Sequence, residues 1–139
     1  MTIEIVIMIE QWERWEPIAK LSAKYYVESI CYHLENLTIV LFDEADTKVQ
    51  VTFKKHIDSY RSVDESFRLS TMHDLSNRYG ANFYGDWTFF KVTNSLYVTL
   101  LSKQPCIDAT LPLQHFSLIT FNSIIDILSV DGPTLEFIL

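Results

Sequence analysis

The chain of 139 residues is 48% apolar and 14% aromatic, which suits one globular domain over residues 1–139 and excludes a disordered chain. Its formal charge of −7 weighs against sequence-independent binding to DNA or RNA, where clustered Lys and Arg must neutralise phosphates, and favours a basic partner. Three glycines provide no glycine-rich phosphate cradle, and no apolar run approaches the roughly 18 residues of a membrane span.

The charge is uneven: residues 1–50 hold nine acids against four bases, residues 51–103 five against seven, and residues 104–139 four against none. Such acidity also serves plain solubility. Cys31 and Cys106 are too few and too far apart for a disulfide scaffold or a Cys-pair zinc site, so free thiols and a reducing cytoplasm are expected.

Ile3, Ile5, Ile7 and Ile9 alternate with other residues, the period of a strand with one buried face. No basic residue precedes this run and Glu4 interrupts it, unlike a signal peptide. Glu10, Trp12, Glu13, Trp15 and Glu16 then precede Pro17 in a segment both acidic and aromatic. Exposed, it is a binding surface; the commoner fate of Trp is the core. Residues 25–34, 38–42 and 49–53 form a three-stranded meander, antiparallel because its links are too short for parallel crossovers.

Within the meander, Ile39-Val40-Leu41-Phe42 runs into Asp43-Glu44-Ala45-Asp46 and resembles the metal-binding strand of ATP-driven helicases. The likeness covers eight residues, and the companion Gly-x-x-x-x-Gly-Lys-Ser/Thr loop is missing, so a solvated hairpin turn is the better assignment. Residues 54–68 are the most polar stretch and are expected to form a loop. Tyr60, Arg61, Asp64 and Glu65 there are the candidates for a polar site, with a base from Asp or Glu and an anion held by Arg61 if the loop closes into a concavity. Exposed pairs of this kind also occur as salt-bridged loops of little energetic value.

A short helix is predicted from Ser70 or Thr71 to Tyr79, with Met72, Leu75 and Tyr79 on one face and Gly80 at its exit. Residues 87–92 read as a central strand, followed by a helix capped from Thr93, Asn94 or Ser95, carrying Leu96, Tyr97, Leu100 and Leu101 on its buried face and stopped by Pro105. Residues 105–114 read as a loop, 115–121 as a strand, and Asn122 or Ser123 as the cap of a helix containing Ile124, Ile125 and Leu128. Asp131-Gly132-Pro133 turns the chain into a last strand over 134–138. Trp87, Phe89, Phe90, Leu100, Leu101, Ile124 and Leu128 are expected to share one core.

No catalytic residue, metal site or cofactor is assigned. His33, His56, His73 and His115 lack paired metal spacing. Cys31 and His33 share a strand face but stand about 7 Å apart at the strand rise, too far for a direct bond. No Gly-x-Ser-x-Gly elbow occurs, although a Ser-His-Asp constellation stays open because its members converge from anywhere in a chain.

Ser59-Tyr60-Arg61, Asp64-Glu65, Trp87-Thr88-Phe89-Phe90-Lys91-Val92, Asn94-Ser95-Leu96-Tyr97 and His115-Phe116 together resemble a group of small uncharacterised proteins of Bacillus-type bacteria, some of them similar to immunity proteins of toxin systems. The likeness spans residues 59–130 and implies a protein-binding role.

The expected fold is α+β: a mainly antiparallel sheet of about five to seven strands with two or three short helices packed on it. The expected function is that of an intracellular protein-binding module, an inhibitor or immunity-type protein that caps a basic protein through Glu10, Trp12, Glu13, Trp15, Glu16, Asp43, Glu44 and Asp46. The alternative is a small enzyme or ligand-binding protein using Tyr60, Arg61, Asp64 and Glu65. Homo-oligomerisation is left open.

Overall fold

The computed structural model describes residues 9–55, 57–102 and 112–139, apart from the side chains of Glu65 and Ser102. Most of the strand expected over 3–9, the helix stop at Pro105, Cys106, His56 and most of the loop expected over 105–114 lie outside the described residues. The described residues form nine strands in two antiparallel sheets with two α-helices. The fold is therefore mainly antiparallel α+β, but it splits its strands between two sheets instead of gathering five to seven in one.

The smaller sheet holds the meander β2 (Tyr26–His33), β3 (Asn36–Phe42) and β4 (Lys48–Lys54), closed by β9 (Thr134–Ile138), in the order β2-β3-β4-β9. Period-two burial is clean on β3 and β4: Leu37, Ile39, Leu41, Val49, Val51 and Phe53 point inward and are at most 1% exposed. The β2–β3 link is the two-residue loop Leu34-Glu35, both at positive φ (49° and 67°), the geometry whose twist matches a hairpin. The Asp43-Glu44-Ala45-Asp46 stretch is a hairpin turn, as its composition implies. Asp43 Oδ1 accepts from the Ala45 and Thr47 amides at 2.9 and 2.8 Å, and Asp46 takes the positive φ.

The larger sheet runs β1-β6-β7-β8-β5, comprising β1 (Gln11–Arg14), β6 (Phe89–Thr93), β7 (Gln114–Ile119), β8 (Ser123–Ser129) and β5 (Ile57–Asp64). Its strands meet two layers. Phe89, Phe116, Leu118, Ile125 and Ile127 pack on the smaller sheet. Trp12, Phe90, Val92, Ile119 and Ile124 pack with Met72 and Leu75 of α1 (Leu69–Tyr79). Two cores thus replace the one expected, because this sheet has apolar partners on both of its faces.

Three expectations are corrected by this architecture. Residues 123–129 are the strand β8, not a helix: β8 lies between β7 and β5 and is covered on both faces, so its apolar residues run continuously and lose the period of two. Residues 57–64 are the strand β5, not a loop. An edge strand tolerates charge, and its polar residues keep that edge from pairing further. Residues 87–92 are not the centre of the sheet; β6 lies next to the edge strand β1, and β7 is central.

The second helix, α2 (Leu96–Ser102), starts where expected, with Ser95 Oγ accepting from Val98 N at 3.1 Å. Its buried face is only part of the one expected. Leu96 and Leu100 are 70% and 63% exposed, while Tyr97 turns inward to meet His115 edge-on at 5.7 Å. Leu96 and Leu100, four residues apart, share one stripe of the helix, and that stripe faces outward. A 3-10 turn, Glu65–Arg68, leads into α1 and is capped by Asp64, whose Oδ1 accepts from Ser66 N at 2.9 Å. The lysine of the 15–25 connection clamps the layers together: Lys24 Nζ donates to the carbonyls of Tyr84, Trp87 and Ile119 at 2.5, 2.9 and 2.5 Å.

Candidate functional site

Strand register assembles a polar cluster beneath α2. Arg61 of β5, Asp126 of β8 and Ser117 of β7 are direct cross-strand neighbours, and His115 lies two residues along β7 on the same face. Ser95 enters from the β6–α2 junction, where Asn94 adopts positive φ (53°) and lets the chain turn sharply from strand to helix. A charged residue in the apolar run Ile124-Ile125-Asp126-Ile127-Leu128 must find partners, since an unpaired buried carboxylate is very costly.

The partners form one chain of bonds. Ser95 Oγ lies 2.7 Å from His115 Nδ1, and His115 Nε2 lies 2.7 Å from Asp126 Oδ1. Asp126 Oδ2 accepts from Arg61 Nε at 2.9 Å and from Arg68 Nη1 at 2.6 Å. Ser95, His115 and Asp126 are 5%, 3% and 0% exposed. Burial opposes ionisation of Asp126, but the hydrogen bond and charge of His115 and the charge of Arg68 overcome it, holding its carboxyl well below the usual carboxylate range. Ser117, opposite Asp126, is fully buried, and its hydroxyl lacks a partner among the described residues.

A Ser-His-Asp chain has the parts of a nucleophile and base, yet its surroundings favour support over catalysis. His115 stands between the two, with Nε2 toward Asp126 and Nδ1 toward the Ser95 hydroxyl, the order a base and a nucleophile require. The Ser95 oxygen is already an acceptor for Val98 N as the α2 cap. Leu96 N, the amide next to the serine, donates to Glu10 Oε2 at 2.7 Å and is not free to stabilise an oxyanion. Asp126 is also shared with two guanidiniums, which weakens its ability to stabilise an imidazolium.

The acidic–aromatic residues divide by role. Trp12 is 4% exposed and packs on Phe90 and His115 at 6.2 and 5.9 Å, so it belongs to the core and presents no face to a partner. Trp15 is half-buried, with Lys91 Nζ 4.8 Å over its ring. Glu10 is structural, accepting from Trp12 Nε1 at 2.9 Å as well as from Leu96 N. Asp43 is spent on its turn; the Ser22 hydroxyl, 2.6 Å away, together with the turn amides lowers its pKa. Glu13, Glu16, Glu44 and Asp46 remain exposed, the first two in and just after β1 of the larger sheet, the last two in the β3–β4 turn of the smaller.

The polar quartet does not converge. Tyr60 turns toward the sandwich side, 5.9 Å from Tyr32, Asp64 caps the 3-10 turn, and the Glu65 side chain lies outside the described residues. Only Arg61 joins the cluster, through Asp126, which Arg68 and His115 share; none of these three is among the candidates the sequence offers. Cys31 and His33 are both exposed on β2. Among the described residues no group of three or more His, Cys, Asp or Glu side chains is placed to hold a metal ion.

Two clefts flank the cluster. One of about 540 Å³ is bordered by Glu13, Lys91, Ser95, Val98, Gln114 and His115. The other, about 290 Å³, is bordered by Arg61, Arg68, Thr71, Tyr97, Leu96 and Leu100, with Glu10, Trp12 and His115 completing it. No described helix is long and apolar enough to cross a membrane. No family model matches the chain, and neither a curated protein nor a solved structure matches it significantly.

Proposed function

We propose that the protein is a binding module, of inhibitor or immunity type, that caps a basic protein partner through its exposed carboxylates. The observation that carries this is the division of labour among its acids. Glu10 and Asp43 are consumed by internal bonds, whereas Glu13, Glu16 and Glu44 are exposed and make no ion pair among the described residues, in a chain of charge −7. Exposed carboxylates outside ion pairs repel one another and serve to steer an oppositely charged partner, although Glu13 has Lys91 opposite it across the β1–β6 pair. The buried state of the Ser95 chain supports binding over hydrolysis. Trp12 is too buried to serve as an anchor; Phe121, 37% exposed and stacked on Tyr26 at 4.4 Å, borders the same cleft as the acidic turn.

The test is affinity capture from the native host, with mass spectrometry, using the wild-type chain and a variant carrying Glu13→Lys, Glu16→Lys and Glu44→Lys. Glu10 is kept, since it caps α2. The proposal expects a basic protein that is lost in the variant and in raised salt. Capture that survives both contradicts it.

A further inference from the structure

We infer that the 290 Å³ cleft beside α2 is a recognition site for a small organic carboxylate with an apolar tail, held by the guanidinium of Arg61. This does not depend on the acidic-surface proposal, and the ligand has the opposite charge.

Arg61 is held in a way an idle surface arginine is not. Its Nε donates to the fully buried Asp126, and its guanidinium carbon lies 4.1 Å over the ring of Tyr97. Tyr97 is itself fixed by a hydrogen bond to Ser59 and by its edge contact with His115. The side chain of Arg61 nevertheless stays 41% exposed and borders the cleft. Its two Nη groups have no acceptor among the described residues. Much of the rotamer entropy that an arginine loses on binding an anion is therefore already spent in folding, and a flat donor fork remains. Such a fork matches the two oxygens of a carboxylate.

The other charged groups of the cleft do not fill that role. Glu10 directs its oxygens to Trp12 Nε1 and Leu96 N, and Arg68 is engaged with Asp126 and with Thr71 Oγ1 at 3.3 Å. Two cations then stand against two carboxylates, so an anion entering meets no net repulsion even though the whole chain is acidic. Leu96 and Leu100, exposed at 70% and 63%, form the apolar lip and are unexplained by folding. A short alkyl chain laid along them buries that surface while its carboxylate reaches Arg61.

Calorimetric titration of the full chain with acetate, hexanoate and hexyl phosphate tests this. Wild type is expected to bind hexanoate saturably at millimolar concentration and acetate far more weakly. Arg61→Lys, which keeps the charge but removes the fork, is expected to weaken hexanoate by at least about tenfold, the cost of one charge-assisted hydrogen bond. Should that variant not fold, Leu100→Ala alters only exposed surface and is expected to shrink the preference for hexanoate over acetate. Hexyl phosphate binding that also falls in Arg61→Lys supports the fork. No saturable binding of hexanoate to wild type, equal affinities in Arg61→Lys, or a hexanoate preference untouched by Leu100→Ala overturns the inference.

Discussion

Replacing Asp126 by Asn is the sharpest perturbation of the buried cluster. The two side chains are nearly isosteric, so no cavity opens and the effect is electrostatic. The carbonyl oxygen of the substituted amide still accepts from His115, but the neutral group leaves Arg68, whose side chain is 15% exposed, and the more exposed Arg61 without their counter-charge. Breaking a buried pair by removing one partner costs roughly 3–5 kcal/mol, a large share of the ~5–15 kcal/mol that holds a domain of this kind folded. Urea denaturation at neutral pH reads the loss as a lower midpoint at unchanged slope. The pH dependence supplies a second signature. Because the Asp126 carboxyl is held below its unfolded value, its contribution is fully present above the unfolded pKa of about 4 and is lost as pH falls from there toward the lower folded value. Wild type should therefore lose stability below pH ~4 more steeply than Asp126→Asn. A cost under about 1 kcal/mol, or parallel acid profiles, would refute the assignment of Asp126 as the anchor of the cluster.

Leu75→Ala, on the fully buried face of α1, should cost about 2–5 kcal/mol in the same assay, while Leu100→Ala should stay within about 0.5 kcal/mol, reversing what the sequence suggests for Leu100. Lys24→Met should cost about 1–3 kcal/mol, because three part-buried carbonyls lose the donor they share. Leu34→Asn with Glu35→Gly should raise the thermal midpoint, because both positions hold positive φ that the native side chains resist; an unchanged or lower midpoint would show that the loop is not strained as described.

Where apolar periodicity and turn chemistry agree, the sequence suffices: the meander β2–β4, the Asp43 turn, α1 with Met72 and Leu75 inward, and a cap for α2 among residues 93–95 all follow from it. It misled where tertiary coverage erases the period. β8 has neighbours on both sides and both faces, so its Ile-Ile and Ile-Leu pairs offered a helical pattern as readily as a strand. β5, at the edge, carries too few apolar residues to look like a strand at all. The cluster was invisible for a related reason: His115 and Asp126 belong to adjacent strands, Arg68 to a 3-10 turn and Ser95 to a helix cap, and only register joins them. One signal was present in the sequence, the lone aspartate inside the apolar run 124–128, which a strand assignment would have marked as a buried charge in need of partners.

The claim that the Ser95–His115–Asp126 chain supports the fold while the surface carries function is tested most directly by incubating the folded protein with a fluorophosphonate and measuring its intact mass. Ser95 is 5% exposed, its oxygen caps Val98, and the neighbouring Leu96 amide is occupied by Glu10, so the mass should not change. A single adduct on Ser95 that disappears in His115→Ala would contradict the account and make the protein a serine hydrolase.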